Sequence, residues 1–469
     1  MATSINCWKC LARPCATSSS RISSIVSSKP FSSTSSKLVG GPKPFKKAAP
    51  AGVKQNLRIK KKGAQKTTGR PPASGERKAM RKRIVLSNTN ALAVPGMQEF
   101  NKDLVADMLE GGEEKKSLVG NVVVLPGETV DALRAIDAFK PTQGWGLFNK
   151  PGLLIRQESV ELTRALVSAE DEKSTLRYVI EGSKGSGKSM MLLHAQAVAV
   201  ARGWVVLHFP EAQELVNAVN DYAAIPNSNP SVWMQPTYTA EWLEKIAKAN
   251  PILDTIKMTQ PHNLPIEIPK GTTLGRLCEL GVRDSDIAFP LFQALWSELN
   301  QSGRPPILLT LDGLSYIMRD SQYRNTNNEL IHSHDLALIK HFTDFLSGSQ
   351  TMKNGGAVIG ATSRSHHPIS LSMNLAITQA LEKQQESPQT ERQPFEKNYD
   401  ERVEASLKDV HVMKLSGTSK DEARGLMEYW AKSGVLRQTV DERSVAEKWA
   451  LAGNGVLGEL QRGALRMRI

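Results

Sequence analysis

The chain has 469 residues, 40% hydrophobic and 23% charged, the balance of a globular protein with room for two or three domains. No uninterrupted apolar run is long enough to span a bilayer, so neither a membrane-spanning role nor a membrane partner is expected. The formal net charge of +13 is unevenly placed: residues 1–83 hold 20 Lys and Arg against one acid, Glu76, whereas the remainder holds 40 bases against 46 acids. Broad attraction to phosphate backbones therefore belongs to the N-terminal arm and not to the body.

Residues 1–40 contain no Asp or Glu, are rich in Ser, and carry Lys9, Arg13, Arg21, Lys29 and Lys37. That is the composition of a transit peptide for mitochondrion or chloroplast, with the arginines weighing toward mitochondrial import; a disordered basic tail in a cytosolic or nuclear protein is the other reading. From residue 41 to about 95 a basic, disordered extension is expected. Its clusters Lys60-Lys61-Lys62, Arg77-Lys78 and Arg81-Lys82-Arg83 are spaced by Gly, Pro, Ala and Thr. Such a stretch is either a solvated linker or an arm that orders on RNA by replacing counterions. No aromatic residues interleave the charges to stack bases. Cys7 and Cys10 have the CxxC spacing, but no second pair completes a zinc site, and with Cys15 and Cys278 they give no readable disulfide framework.

Apolar periodicity begins with the body. Phe100–Leu109 reads as a short helix ended by Gly111-Gly112, and Val122–Leu125 as a strand closed by Pro126-Gly127. Thr129–Phe139 and Glu158–Ala169 read as helices on either side of a turn-rich segment, Pro141–Lys150. Strand and helix then alternate in the α/β manner: strand Leu176–Glu181, helix Ser189–Ala201, strand Trp204–Phe209. Between that first strand and helix lies Gly182-Ser183-Lys184-Gly185-Ser186-Gly187-Lys188-Ser189, a match to GxxxxGK[ST] at every fixed position. The glycines allow close backbone approach to phosphates, successive N–H groups form an anion nest, and the helix adds its positive end. Lys188 is expected to bridge the β- and γ-phosphates, and Ser189 to ligate Mg2+.

Further along, Asp254–Lys270 lacks a period and reads as a surface insertion, followed by helices at Leu274–Leu280 and Ala288–Asn300. The strand Ile307–Leu311 ends in Asp312, which has the form of a Walker B acid supporting the same magnesium. Motor-type ATPases place a water-polarising Glu next; here Gly313 follows, so weak or no hydrolysis is expected, and nearby Asp320 is a poor substitute. His332, His334, His341 and His366 have no metal spacing and read as solvated helix positions. After a helix at Leu336–Leu346, the strand Ala357–Ala361 leads to Thr362 and Ser363, read either as a γ-phosphate sensor or as a plain strand-to-loop cap, with Arg364 read as a surface cation in preference to a phosphate sensor. Residues 382–400 are a polar linker or insertion. Residues 401–469 form a C-terminal helical domain with helices at Ser419–Ala431, Ser444–Leu451 and Gly455–Arg466, the first opened by a Ser419/Glu422 capping box.

The P-loop in this context, the strand Trp204-Val205-Val206-Leu207-His208-Phe209-Pro210, the Leu311-Asp312-Gly313 ending and the tail Ala452-Gly453-Asn454-Gly455 resemble the death-associated-protein family of the mitochondrial small ribosomal subunit, over residues 95–469. The resemblance implies an AAA-like P-loop NTPase fold over residues 96–381: a three-layer α/β core with a parallel sheet. It implies bound GTP or GDP with Mg2+, contacts with ribosomal RNA and neighbouring ribosomal proteins, a bridge to the large subunit, and residence in the mitochondrial matrix. No [NT]KxD motif reads guanine, so ATP stays open from the residues themselves. The expected role is a structural constituent of that subunit; the alternative is an active mitochondrial AAA-like or signalling ATPase. Family members are also linked to apoptosis, a role no residue here carries.

Overall fold

Eleven short strands and fourteen α-helices are found among the described residues. The computed structural model describes residues 91–109, 118–226, 228–364, 369–396 and 398–465; the transit-like segment, most of the basic arm, the three N-terminal cysteines and His366 lie outside these. The lead-in comprises α1 (Lys102–Leu109), β1 (Val122–Val124), α2 (Gly127–Ala135) and β2 (Gly152–Leu154), with β1 and β2 paired antiparallel. Next come α3 (Gln157–Asp171), β3 (Thr175–Gly182), α4 (Lys188–Ala201), β4 (Val205–Phe209) and α5 (Ala212–Val216). A two-residue pair, β5 (Ala223–Ala224) and β6 (Trp233–Met234), leads into α6 (Pro236–Ala249), α7 (Leu274–Arg283) and α8 (Ala288–Leu299). The chain returns through β7 (Ile307–Asp312), the hairpin β8 (Asp320–Arg324) and β9 (Leu330–His332), α9 (Ala337–Leu346) and β10 (Gly356–Ala361). It closes with α10 (Leu371–Gln384), α11 (Glu401–Ser406), β11 (His411–Leu415), α12 (Lys420–Lys432), α13 (Glu442–Leu451) and α14 (Leu457–Leu465).

Five of the strands form one all-parallel sheet in the order β11-β3-β10-β7-β4. Strands β4, β7 and β10 read as near-continuous apolar runs because both faces are covered. Side chains alternate across the sheet. Val179, Leu207, Phe209, Leu309, Leu311 and Val358 enter a core shared with α6 to α9. Tyr178, Ile180, Val206, Leu308, Ile359 and Met413 enter a second core with α1, α3 and α4. The result is the expected three-layer α/β arrangement with a parallel sheet. A third, smaller cluster joins Val122 of β1 to Met427, Tyr429 and Trp430 of α12 and to Leu460 of α14. Among the described residues no helix is long and apolar enough to cross a membrane.

Three readings from sequence need correction. His332 is buried, and His334 and His341 are half-buried, rather than solvated: His341 packs edge-on against Trp296 and Phe292, and His332 pairs with Asp400 at 2.9 Å. Arg364 is not a free surface cation, since its Nη2 lies 2.5 Å from Glu181 Oε1. The described residues 401–465 hold, besides four helices, the strand β11, which pairs in parallel with β3 and adds a fifth strand to the sheet. Past the end of α10 at Gln384, residues 385–396 run as an exposed loop, with Phe395 95% exposed, and all described residues belong to one unit, Pro72–Ile469. Cys278 is a buried free thiol whose pKa burial pushes up to about 12, an inert core residue.

Candidate phosphate-binding site

The glycine-rich loop joins the carboxyl end of β3 to the start of α4, so the first-turn amides of α4 open onto the sheet edge. Gly187 is the N-cap at φ 100°, a left-handed conformation that a side chain would strain. Gly182 is required for space instead: a Cβ there would sit 2.6 Å from Ser186 Oγ and 2.7 Å from the Leu415 carbonyl. Lys188 lies back over the loop, its Nζ donating to the Gly182 and Ser183 carbonyls at 2.7 and 2.8 Å. Burial lowers its pKa, opposed by the charges of Glu181 and Asp312.

Asp312 is the last residue of β7, which is separated from β3 only by β10. Ser189 Oγ donates to Asp312 Oδ2 at 2.6 Å, so the two residues expected to share a magnesium ion are in direct contact. Thr362 follows β10 and is buried, its backbone N–H and hydroxyl donating to the Ile180 carbonyl at 3.0 and 3.3 Å. Ser363 N–H donates to Ser315 Oγ at 3.2 Å. Lys184, Gly185, Gly187, Lys188, Ser189, Asp312, Thr362, Ser363 and Arg364 all border one cleft of about 610 Å3, which gathers most of the residues singled out from sequence. Gly182 and Ser186 are buried behind that surface, with Ser186 Oγ without a hydrogen-bond partner, and Ser183 is exposed and does not border the cleft.

Other contributors carry no sequence motif. Lys140, the residue before the turn Pro141–Gln143, forms an ion pair with Asp312 Oδ2. Arg156, just before α3, is buried and braces the loop: its Nη1 donates to the Ser186 carbonyl at 3.1 Å, and its Nη2 to Glu158 Oε1 at 2.9 Å and the Ser416 carbonyl at 3.2 Å. Glu422 of α12 lies 3.8 Å from Arg156 Nε and accepts from the Gln157 and Ser419 amides at 3.0 and 2.9 Å. Ser419 in return accepts from the Glu422 amide, completing the expected capping box. The Gly458 amide of α14 donates to the Gly185 carbonyl at 2.9 Å, so the last helix rests on the loop itself. The cleft is also walled by Trp145, Phe148, Leu154, Tyr429 and Trp430, with the Phe148 and Tyr429 rings 5.1 Å apart.

Chemically the cleft combines a cationic and an aromatic lining. Nest amides, Lys184 and Lys188 suit a polyphosphate, while flat apolar walls suit a base. A hydroxyl and a carboxylate oxygen in contact are hard donors that fit Mg2+, which takes few protein ligands and completes its shell with phosphates and water. Among the described residues no group of three or more His, Cys, Asp or Glu could hold a metal unaided. Hydrolytic machinery is another matter. Gly313 occupies the catalytic Glu position at φ 89°, with a would-be Cβ 3.3 Å from Tyr316, so the backbone itself disfavours a side chain there.

A three-layer α/β protein with a glycine-rich GxxxxGK[ST] loop at the carboxyl edge of its parallel sheet is the class these features define. More particularly, residues 153–463 match the family described as mitochondrial ribosomal death-associated protein 3, and the chain belongs to that family. It is 51% identical over 419 residues to the small ribosomal subunit protein mS29 of Neurospora crassa, covering 88% of this chain and 87% of the relative. The mS29 proteins of Schizosaccharomyces pombe and Bos taurus are 26% identical over 331 residues (69% of this chain, 67% of the relative) and 25% identical over 218 residues (45% and 54%). The family match takes in the loop, Asp312, Thr362 and most of α14, and leaves Lys140 outside.

Proposed function

We propose that this chain is a structural constituent of the mitochondrial small ribosomal subunit that holds a purine nucleotide as a stabilising ligand, with GTP or GDP favoured and ATP the alternative, and with little or no turnover. Residence in the matrix, contacts with ribosomal RNA and neighbouring ribosomal proteins, and a bridge to the large subunit belong to this reading. Likeness to mS29 proteins over most of both chains supports the ribosomal half. One observation carries the nucleotide half: the loop of Gly182–Ser189 meets Asp312 through the 2.6 Å Ser189 contact, across the single strand that separates β3 from β7. That strand order also supports the AAA-like P-loop fold. Lys188 and the α4 amides would hold the phosphates, Ser189 and Asp312 would hold Mg2+, and Trp145 with Trp430 would flank the base. A bound metal would neutralise phosphate charge; the protein's own part is to orient the polyphosphate and to couple it to α14 through Gly185 and Gly458. A ligand that binds only the folded chain adds stability as its concentration exceeds its Kd.

The discriminating experiment is sedimentation of the tagged chain through a mitochondrial lysate gradient together with steady-state phosphate release. Co-migration with the small subunit and negligible release are expected. Chain that migrates free of ribosomes and turns over ATP repeatedly would replace this reading with the ATPase one.

A further inference from the structure

Asp312 Oδ2 receives two donors, the Ser189 hydroxyl at 2.6 Å and the Lys140 ammonium. The hydroxyl is what a phosphate loop brings to its metal. The ammonium comes from elsewhere and occupies the oxygen that a divalent ion would use. Its position is braced: the Lys140 amide donates to Gln143 Oε1 at 3.2 Å, Pro141 fixes the turn, and Phe139 packs edge-on against Trp145 with centroids 4.8 Å apart. Asp137 is in turn held by Lys245 at 3.1 Å. Asp312 is buried while Lys140 keeps partial access to the cleft, so the ammonium can meet both the carboxylate and an incoming phosphate.

We infer that Lys140 is an internal cation of the nucleotide site, competing with the divalent ion for Asp312 and allowing the cleft to retain a nucleoside diphosphate without metal. This deepens the nucleotide reading above and rests on it. Magnesium needs near-octahedral oxygen geometry and sheds water reluctantly, so a carboxylate already neutralised by an ammonium is a poor ligand for it. A polyphosphate loses less, because Lys140, Lys184 and Lys188 already border the cleft and a charge-assisted contact does not require the metal.

The test is titration of native protein with a fluorescent GDP analogue in magnesium and in EDTA, repeated on Lys140→Met and Lys140→Arg. Native affinity is expected to change by less than about threefold on chelation, whereas Lys140→Met loses about tenfold or more and Lys140→Arg behaves like native. Manganese bound to the protein–GDP complex, followed by electron paramagnetic resonance, should be held more tightly by Lys140→Met than by native chain. Binding in magnesium that collapses in EDTA for the native chain overturns the role of Lys140 and leaves the nucleotide reading standing, and this arm needs no variant to fold. Equal chelator tolerance of native and Lys140→Met, or equal manganese affinity, overturns it too. Native protein that binds no analogue even with magnesium sinks both readings together.

Discussion

Lys188 and Gly313 bound the chemistry of the cleft from opposite sides, one by supplying a charge and the other by withholding one. Lys188→Ala removes the cation nearest the loop carbonyls, and a charge-assisted contact is worth about 1.5–3 kcal/mol, so nucleotide affinity should fall roughly tenfold to hundredfold by titration calorimetry. Unchanged affinity would mean that the loop does not cradle phosphate. Gly313→Glu installs the residue of active ATPases at a left-handed position, which costs on the order of 1–3 kcal/mol. The expected result is a lower unfolding midpoint with no gain in phosphate release; a fast, stable enzyme would show that turnover lacks only this carboxylate. The loop, Asp312 and Thr362 were legible in the sequence because phosphate binding dictates glycines and a basic residue at fixed spacing. Lys140 and Arg156 were not, because their roles depend on folding that brings them to Asp312 and Ser186 from outside any motif.

Arg156 is where the elements meet, since it joins the loop after β3 to the residue after β11 and to α12. Arg156→Met leaves the buried Glu422 and the half-buried Glu158 without their cation, and breaking a buried pair from one side costs about 3–5 kcal/mol. Urea unfolding should show most of that loss, and the double variant with Glu422→Gln should recover part of it; strict additivity would show that the two residues act independently. Several elements were readable from sequence for local reasons. The Ser419/Glu422 box marks the start of α12, and β4 and β7 are apolar runs of strand length. Strand β11 escapes such reading because His411 and Lys414 interrupt its apolar residues, and only pairing with β3 makes it a strand. Helix α6 carries signals that were there to be used: Pro236 in its first turn and buried Thr239, Trp242, Leu243 and Ile246 at helical spacing.

At the scale of the whole molecule, four histidines are locked neutral. Burial lowers the pKa of His194 and His208 to about 4, and that of His334 and His341 to about 3, from an ordinary 6.5. Unfolded chain binds protons below pH 6.5 that the folded chain refuses, so this stability is complete above that pH and is lost as pH falls toward 4 and then 3. Each histidine contributes a slope of up to about 1.4 kcal/mol per pH unit in that window. Unfolding midpoints between pH 7 and 5 should therefore drop on acidification, and His341→Leu, which removes a ring whose Nε2 has no hydrogen-bond partner, should flatten the drop. An unaltered slope would mean that His341 takes up protons equally in both states. The α/β class was legible from the alternation of strand and helix around the loop, and the three-layer arrangement followed from the family resemblance. The burial of these histidines was not, because a neutral imidazole in an aromatic cluster carries no sequence signature.

The central claim is that a nucleotide sits between the Gly182–Ser189 loop and the aromatic wall of Trp145 and Trp430 while the chain is part of the small subunit. A density map of the native mitochondrial small ribosomal subunit tests it most directly. The account predicts this chain in the map with a purine nucleotide, its phosphates against Gly185, Gly187 and Lys188. A small subunit without the chain, or one in which the chain's cleft is closed by its own side chains, would contradict it.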